Sequence, residues 1–172
     1  LIFSELALVA FLSRRIDKMS VSTATIVFII YSMINGLTLS SIFFMFTYKS
    51  IAVAFFITAG TFVIMSVYGY VTKNDLTNVG SICLMGLIGL ILASLINVFM
   101  KSQMIYWIIS YAGILIFIGL ISYDTQKLKT ICNTGFVNED IEQKNAIVGA
   151  LSLYLDFINL FLIILKFFAR RD

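Results

Sequence analysis

The chain reads as an all-α integral membrane protein with a single transmembrane helical domain over residues 1–172. Three observations lead there. First, 60% of its residues are hydrophobic and only 12% are charged, against roughly 45–50% and 25% in an ordinary soluble domain. Second, the mean hydropathy is +1.02, and apolar runs of about 20 residues, the length that crosses a bilayer as a helix, recur along the whole sequence. Third, these runs lack the alternation of apolar and polar residues over about ten positions that marks barrel strands.

The apolar segments come in order at about 1–13, 21–46, 50–72, 80–100, 104–131 and 145–168. The first is too short to span. It shows no basic n-region and no cleavage site, so a signal peptide is not expected there. With no Met at position 1, it is expected to be the end of a helix whose upstream part is absent. Segment 21–46 is long enough to cross alone. Segment 50–72 ends at Lys73–Asn74, and 80–100 follows it. Segment 104–131 closes in the polar run YDTQKLK (Tyr123–Lys129). The longest polar stretch, Asn133–Asn145, is expected to be a loop, with Gly135 capping the preceding helix. Pro is absent, so few sharp kinks are expected.

Charge sets the orientation. Alternate loops on one side carry Arg14, Arg15, Lys18, Lys73, Lys127, Lys129 and Lys144, whereas the opposite loops carry Lys49 and Lys101. The basic side is expected to be cytoplasmic. The terminal Lys166, Arg170 and Arg171 fall on the other side and run against this assignment. The net charge of +3 therefore concerns topology, and nucleic acid is not an expected partner. His is absent, and Cys83 and Cys132 lack metal-site spacing. No cofactor and no enzymatic centre are expected.

Polar residues inside the spans carry the rest. Gly86, Gly89, Gly113 and Gly119 are expected to let helix backbones approach. Gly149, Ser152, Asp156 and Asn159 follow one another at i, i+3, i+7 and i+10, which draws a polar stripe along one helix face. Tyr31, Asn35 and Thr38 form a similar stripe on segment 21–46. Such faces avoid lipid and are expected to face each other or a wet cavity.

At about 1.5 Å of rise per residue, Asp156 lies roughly 16 Å in from Asn145, and Asp124 roughly 12 Å in from Cys132. Two acids thus reach similar depth from the same side on neighbouring antiparallel helices. Facing each other they cannot both ionise cheaply. They could share a proton, hold a cation, or exchange one for the other, and carboxylate oxygens suit hard ions such as calcium. A blander arrangement pairs Asp124 with Lys127 or Lys129 and leaves Asp156 as a neutral interhelical acid. An acid at mid-membrane costs about 2.5–3.5 kcal/mol on insertion scales, which favours a functional role. Glu5 is a third acid, about 13 Å deep by the same rise. Arg14 or Arg15 at the end of its helix could reach back toward the aspartates, or simply anchor the helix at the interface.

NGLTLSSIF (Asn35–Phe43), TAGTFVIMSVYGYVTKNDL (Thr58–Leu76), YDTQKLK and ALSLYLDFINLF (Ala150–Phe161) together resemble the transmembrane Bax inhibitor motif family, in a bacterial-type form. The likeness runs from about Glu5 to the end, and the LDFINLF core is its most specific part. It implies a bundle of seven transmembrane helices, six around a central C-terminal one. This chain matches the second to the seventh and lacks the first.

The resemblance also implies a pH-sensitive calcium leak across the bacterial inner membrane. Asp124 and Asp156 would be its pH-sensing dyad and tentative calcium ligands. Glu5 and Asn159 would line the pore, and Arg14 or Arg15 would be the candidate latch. Calcium enters as the transported ion, alongside protons and the lipid bilayer. From another class, the resemblance allows a modulator of a membrane-bound ATP-dependent protease, with the aspartates purely structural. A proton-coupled transporter ranks third. An intramembrane protease ranks last, since YDTQ and LDFI lack the flanks of an aspartyl-protease site.

Overall fold

A computed structural model describes residues 21–133 and 139–168, with only the backbone at Val21, Ala24 and 139–142. Every regular element in it is helical: α1 Val21–Leu39, a short α2 Ile42–Met45, α3 Tyr48–Val71, α4 Thr77–Met100, α5 Gln103–Asn133 and α6 Glu139–Phe168. Among the described residues, five helices are long and apolar enough to cross a membrane, counting Thr25–Met45 as one span. The expected segment 1–13, with Glu5, Arg14 and Arg15 on or beside it, lies outside the described residues, as does Gly135.

Local chemistry explains the helix ends. Ser40 and Ser41 donate their hydroxyls to the carbonyls of Leu37 and Thr38 at 2.6 and 2.8 Å. These side-chain bonds compete with the helical ladder, and the expected continuous segment 21–46 is interrupted there. Thr47 opens α3 by accepting from the Ser50 amide. At the start of α4 the Asp75 carboxylate accepts from the amide of Thr77 at 2.9 Å and from its hydroxyl at 2.6 Å. These bonds hold the Asp75 carboxyl below the usual carboxylate range. Lys101 ends α4 in the left-handed region at φ 48°. Asn97 accepts from the Ser102 amide at 3.0 Å, so α5 can begin at Gln103. The polar stretch read as a loop over 133–145 is helical again from Glu139. Its sequence, EDIEQKN, is acidic at its start and rich in helix formers, which suits the positive end of a helix.

Helices α5 and α6 form the centre. The first packs on α3, α4 and α6, and the second on α1, α3 and α5. Phe117, Leu120 and Ile121 of α5 meet Leu160, Ile164 and Leu165 of α6 in one buried cluster with Ala54 and Ile42. The outer faces stay apolar: Ile82, Met85 and Ile88 of α4 and Phe56, Ile64 and Val67 of α3 are all exposed. So much contiguous apolar surface would be untenable in water and is suited to acyl chains. Tyr106, Trp107, Tyr111 and Phe167 form an edge-to-face group where α5 begins and α6 ends, a position that suits an interfacial aromatic belt.

Small residues set the helix spacing, though not all those expected to. A methyl added at Gly119 would lie 2.5 Å from Cys83 Sγ, at Gly113 2.8 Å from Ile163, and at Gly86 2.9 Å from Ile116. Gly89 has nothing within 4 Å, so among the described residues it serves no close approach. Gly69 and Gly80, which spacing did not single out, are tight, against the Ser122 backbone and the Tyr123 ring.

Candidate functional site

The polar stripe of α6 faces inward. Asp156 is 6% exposed, while Ser152 and Asn159 on the same helix are half-buried. This is what a 3.6-residue period achieves when the opposite face is given to lipid. Gly149, first in the stripe, lies under Leu128 of α5, where a methyl would come 2.5 Å from its Cδ1. That contact sets the register of the antiparallel pair α5 and α6. One to two turns deeper, Asp124 of α5 and Asp156 of α6 meet side chain to side chain within hydrogen-bonding reach. Asp124 is half-buried.

Two carboxyls can hydrogen-bond only if one of them carries a proton, because an ionised carboxylate is purely an acceptor. The pair therefore titrates as a unit. Asp156 Oδ2 is buried and has no hydrogen-bond partner among the described residues. Lys127 lies near enough to act on Asp124 electrostatically, with its ammonium 5.9 Å from the centre of the Tyr123 ring. Lys129, the other basic candidate for Asp124, is occupied elsewhere. It donates to the Tyr70 carbonyl at 2.6 Å and lies 4.9 Å from the centre of that tyrosine's ring. Cys83 of α4 is also close enough to feel the charge on Asp156.

The α1 stripe is buried as well. Tyr31 and Asn35 are inside, on the helix that packs against α6. Thr38 is half-buried and donates back to the Ile34 carbonyl at 2.9 Å. Aromatic residues line the approach from α3, where Phe55 and Phe62 stack edge-on against Phe157, next to Asp156, at 5.9 and 5.5 Å. Of the residues expected to form the site, Asp124, Asp156 and Asn159 fall on the central helix pair. Glu5, Arg14 and Arg15 lie outside the described residues.

One group was missed by spacing. The Gln126 side chain, two residues past Asp124, accepts from the Leu76 amide at 2.8 Å and donates to the Asn74 carbonyl at 2.7 Å. It ties the C-terminal part of α5 to the turn between α3 and α4. A glutamine in the YDTQKLK run gives no sign of a backbone partner 50 residues away.

Among the described residues, no cluster of three or more His, Cys, Asp or Glu side chains could hold a metal ion. Two carboxyls alone fall short of the 6–8 oxygens calcium prefers.

Comparison with known proteins matches all of residues 1–172 to the family described as "Inhibitor of apoptosis-promoting Bax1". The chain is 49% identical over 172 residues to the inner membrane protein YbhL of Escherichia coli K12, covering 99% of this chain and 74% of that protein. It is 46% identical to an uncharacterised protein of Borreliella burgdorferi, over 99% of this chain and 74% of that one. With a protein of Rickettsia prowazekii the identity is 43%, over 99% and 72%.

Proposed function

The chain belongs to this Bax inhibitor-like family of multi-pass bacterial inner-membrane proteins, and from that premise we propose that it is a passive calcium conduit gated by the proton state of Asp124 and Asp156. The observation that carries the reading is the contact between these two acids, one of them almost fully buried, on the central helix pair. Burying one acid is costly. Burying two in contact makes the helix interface depend on how many protons they hold.

With one proton shared, the carboxyls bond and α5 stays closed on α6. With both ionised, they repel at a separation where repulsion is strong in a low dielectric. A cation relieves that repulsion, and the polar stripe through Asp156 and Asn159 becomes its path. Glu5 would extend the path, and Arg14 or Arg15 would latch the aspartates from the cytoplasmic side. The conduit performs no catalysis and needs no cofactor, since calcium is its cargo.

The test is calcium flux into liposomes carrying the purified chain, measured across pH. Flux that varies with pH in the wild type and loses that dependence in Asp124→Asn and Asp156→Asn supports the reading. Unchanged flux in both variants overturns it. Capture of a membrane-bound ATP-dependent protease from detergent, undiminished in the double variant and without any flux, would favour an interaction module instead.

A further inference from the structure

The second inward stripe, on α1, carries a buried atom with no hydrogen-bond partner among the described residues. Asn35 is 4% exposed, and its Nδ2 donates to the phenolic oxygen of Tyr31 one turn away at 3.1 Å. This bond uses the nitrogen end of the amide, so the oxygen end points away from Tyr31. The oxygen end, Oδ1, is buried with no donor among the described residues. Asp156 Oδ2 is in the same condition. A buried acceptor without a donor costs about 1–3 kcal/mol, so each of these oxygens calls for a donor or cation that the described residues do not supply.

Their levels agree. The Phe28 ring meets the Tyr154 ring edge-on at 6.3 Å, and Tyr31 shares a small buried cluster with Leu151. These contacts align 28–31 of α1 with 151–154 of α6. The alternating topology runs the two helices in the same direction. One further turn along α1 reaches Asn35, and one further turn along α6 covers 155–158, the turn that carries Asp156. The buried face of α1 is the one that packs on α6.

We propose that Asn35 Oδ1 is a neutral oxygen ligand that, together with Asp156, holds a partly hydrated calcium ion in transit. The proposal rests on the conduction reading above and adds a residue to it. An amide oxygen is a hard donor of the kind calcium takes from Asn side chains. It contributes a dipole without a charge, so it helps strip water from the ion without holding it tightly. Two carboxyls and one amide leave the remaining ligands to water, which suits passage better than storage.

The test is the equilibrium binding of calcium to the purified full chain in nanodiscs, for wild type, Asn35→Leu, Asn35→Asp and Asp156→Asn. Asn35→Leu is expected to weaken binding about tenfold. The near-isosteric Asn35→Asp is expected to tighten it, because affinity follows ligand charge. Wild-type affinity in both Asn35 variants overturns the assignment. If Asn35→Leu fails to fold, unchanged affinity in Asn35→Asp alone overturns it. Loss of binding in Asp156→Asn with both Asn35 variants unaffected overturns the role of Asn35 and leaves the conduction reading standing. Absence of calcium binding in the wild type overturns both.

Discussion

Gly69 of α3 lies directly against the backbone carbonyl of Ser122 on α5, with no room for a side chain between them. The obstacle is backbone, so it cannot rotate away as the end of a side chain can. Gly69→Ala should therefore force α3 off α5 and cost at least the 1–3 kcal/mol typical of overpacking. Gly89→Ala, where nothing lies within 4 Å, should be neutral or slightly stabilising from better helix propensity. Thermal melting of both variants in detergent checks this. Equal melting temperatures would show that α3 and α5 are not in close contact.

This contrast also shows what the sequence could reveal. The stripes of Asp156 and Asn35 were legible because burial of one helix face is a periodic property, and period is written in the spacing. Which glycines are tight was not legible, since Gly86 and Gly89 sit in the same GLIG run and only the first meets a neighbour. Close approach depends on the crossing point of two helices, which no single segment encodes. The break at Ser40–Ser41 and the helical start at Glu139 were lost among polar residues that serve equally in loops and at helix ends. Gln126 was hidden for a third reason: its partners are backbone groups of another loop.

Gln126→Ala should free that loop. The substitution leaves the half-buried Leu76 amide and the Asn74 carbonyl without their side-chain partners. A lost bond of this kind costs about 1–3 kcal/mol where the abandoned group stays buried. Hydrogen exchange should accelerate at Leu76 and through the first turn of α4. Exchange in the middle of α5 should be unchanged. Uniform acceleration along α5 would mean that the glutamine supports the helix itself and not the turn.

Asp75 predicts a pH dependence with a definite sign. Its carboxyl accepts two bonds from Thr77 and is held below the usual carboxylate range. A group whose folded value is depressed stabilises the folded state above its ordinary value. That contribution fades as the pH falls through the lower folded value. Protection of the Thr77 amide should thus be constant at neutral pH and drop only in the acid range below the ordinary carboxylate value. Asp75→Ala should show the low protection of the acid range at every pH. Protection that fell between neutral pH and the carboxylate range would assign the effect to another group.

The two aspartates should behave as one unit in stability as well as in flux. When both carry charge they repel across the α5–α6 contact, and when one holds a proton they bond across it. Wild-type melting temperature should therefore decline as rising pH removes the last shared proton. Asp124→Asn and Asp156→Asn each leave at most one charge, and an amide can still donate to the remaining carboxylate. Either variant should flatten the decline, and the double variant should add little beyond one of them. Non-additivity of this kind, with coupling in the range of 0.5–3 kcal/mol, is what contacting residues show. The two effects would sum if the carboxyls were independent acids, and each variant would then keep its own separate pH dependence. Melting curves of the four proteins across pH decide between these outcomes without reference to any transported ion. They test the physical basis of the gate separately from the calcium it is proposed to pass.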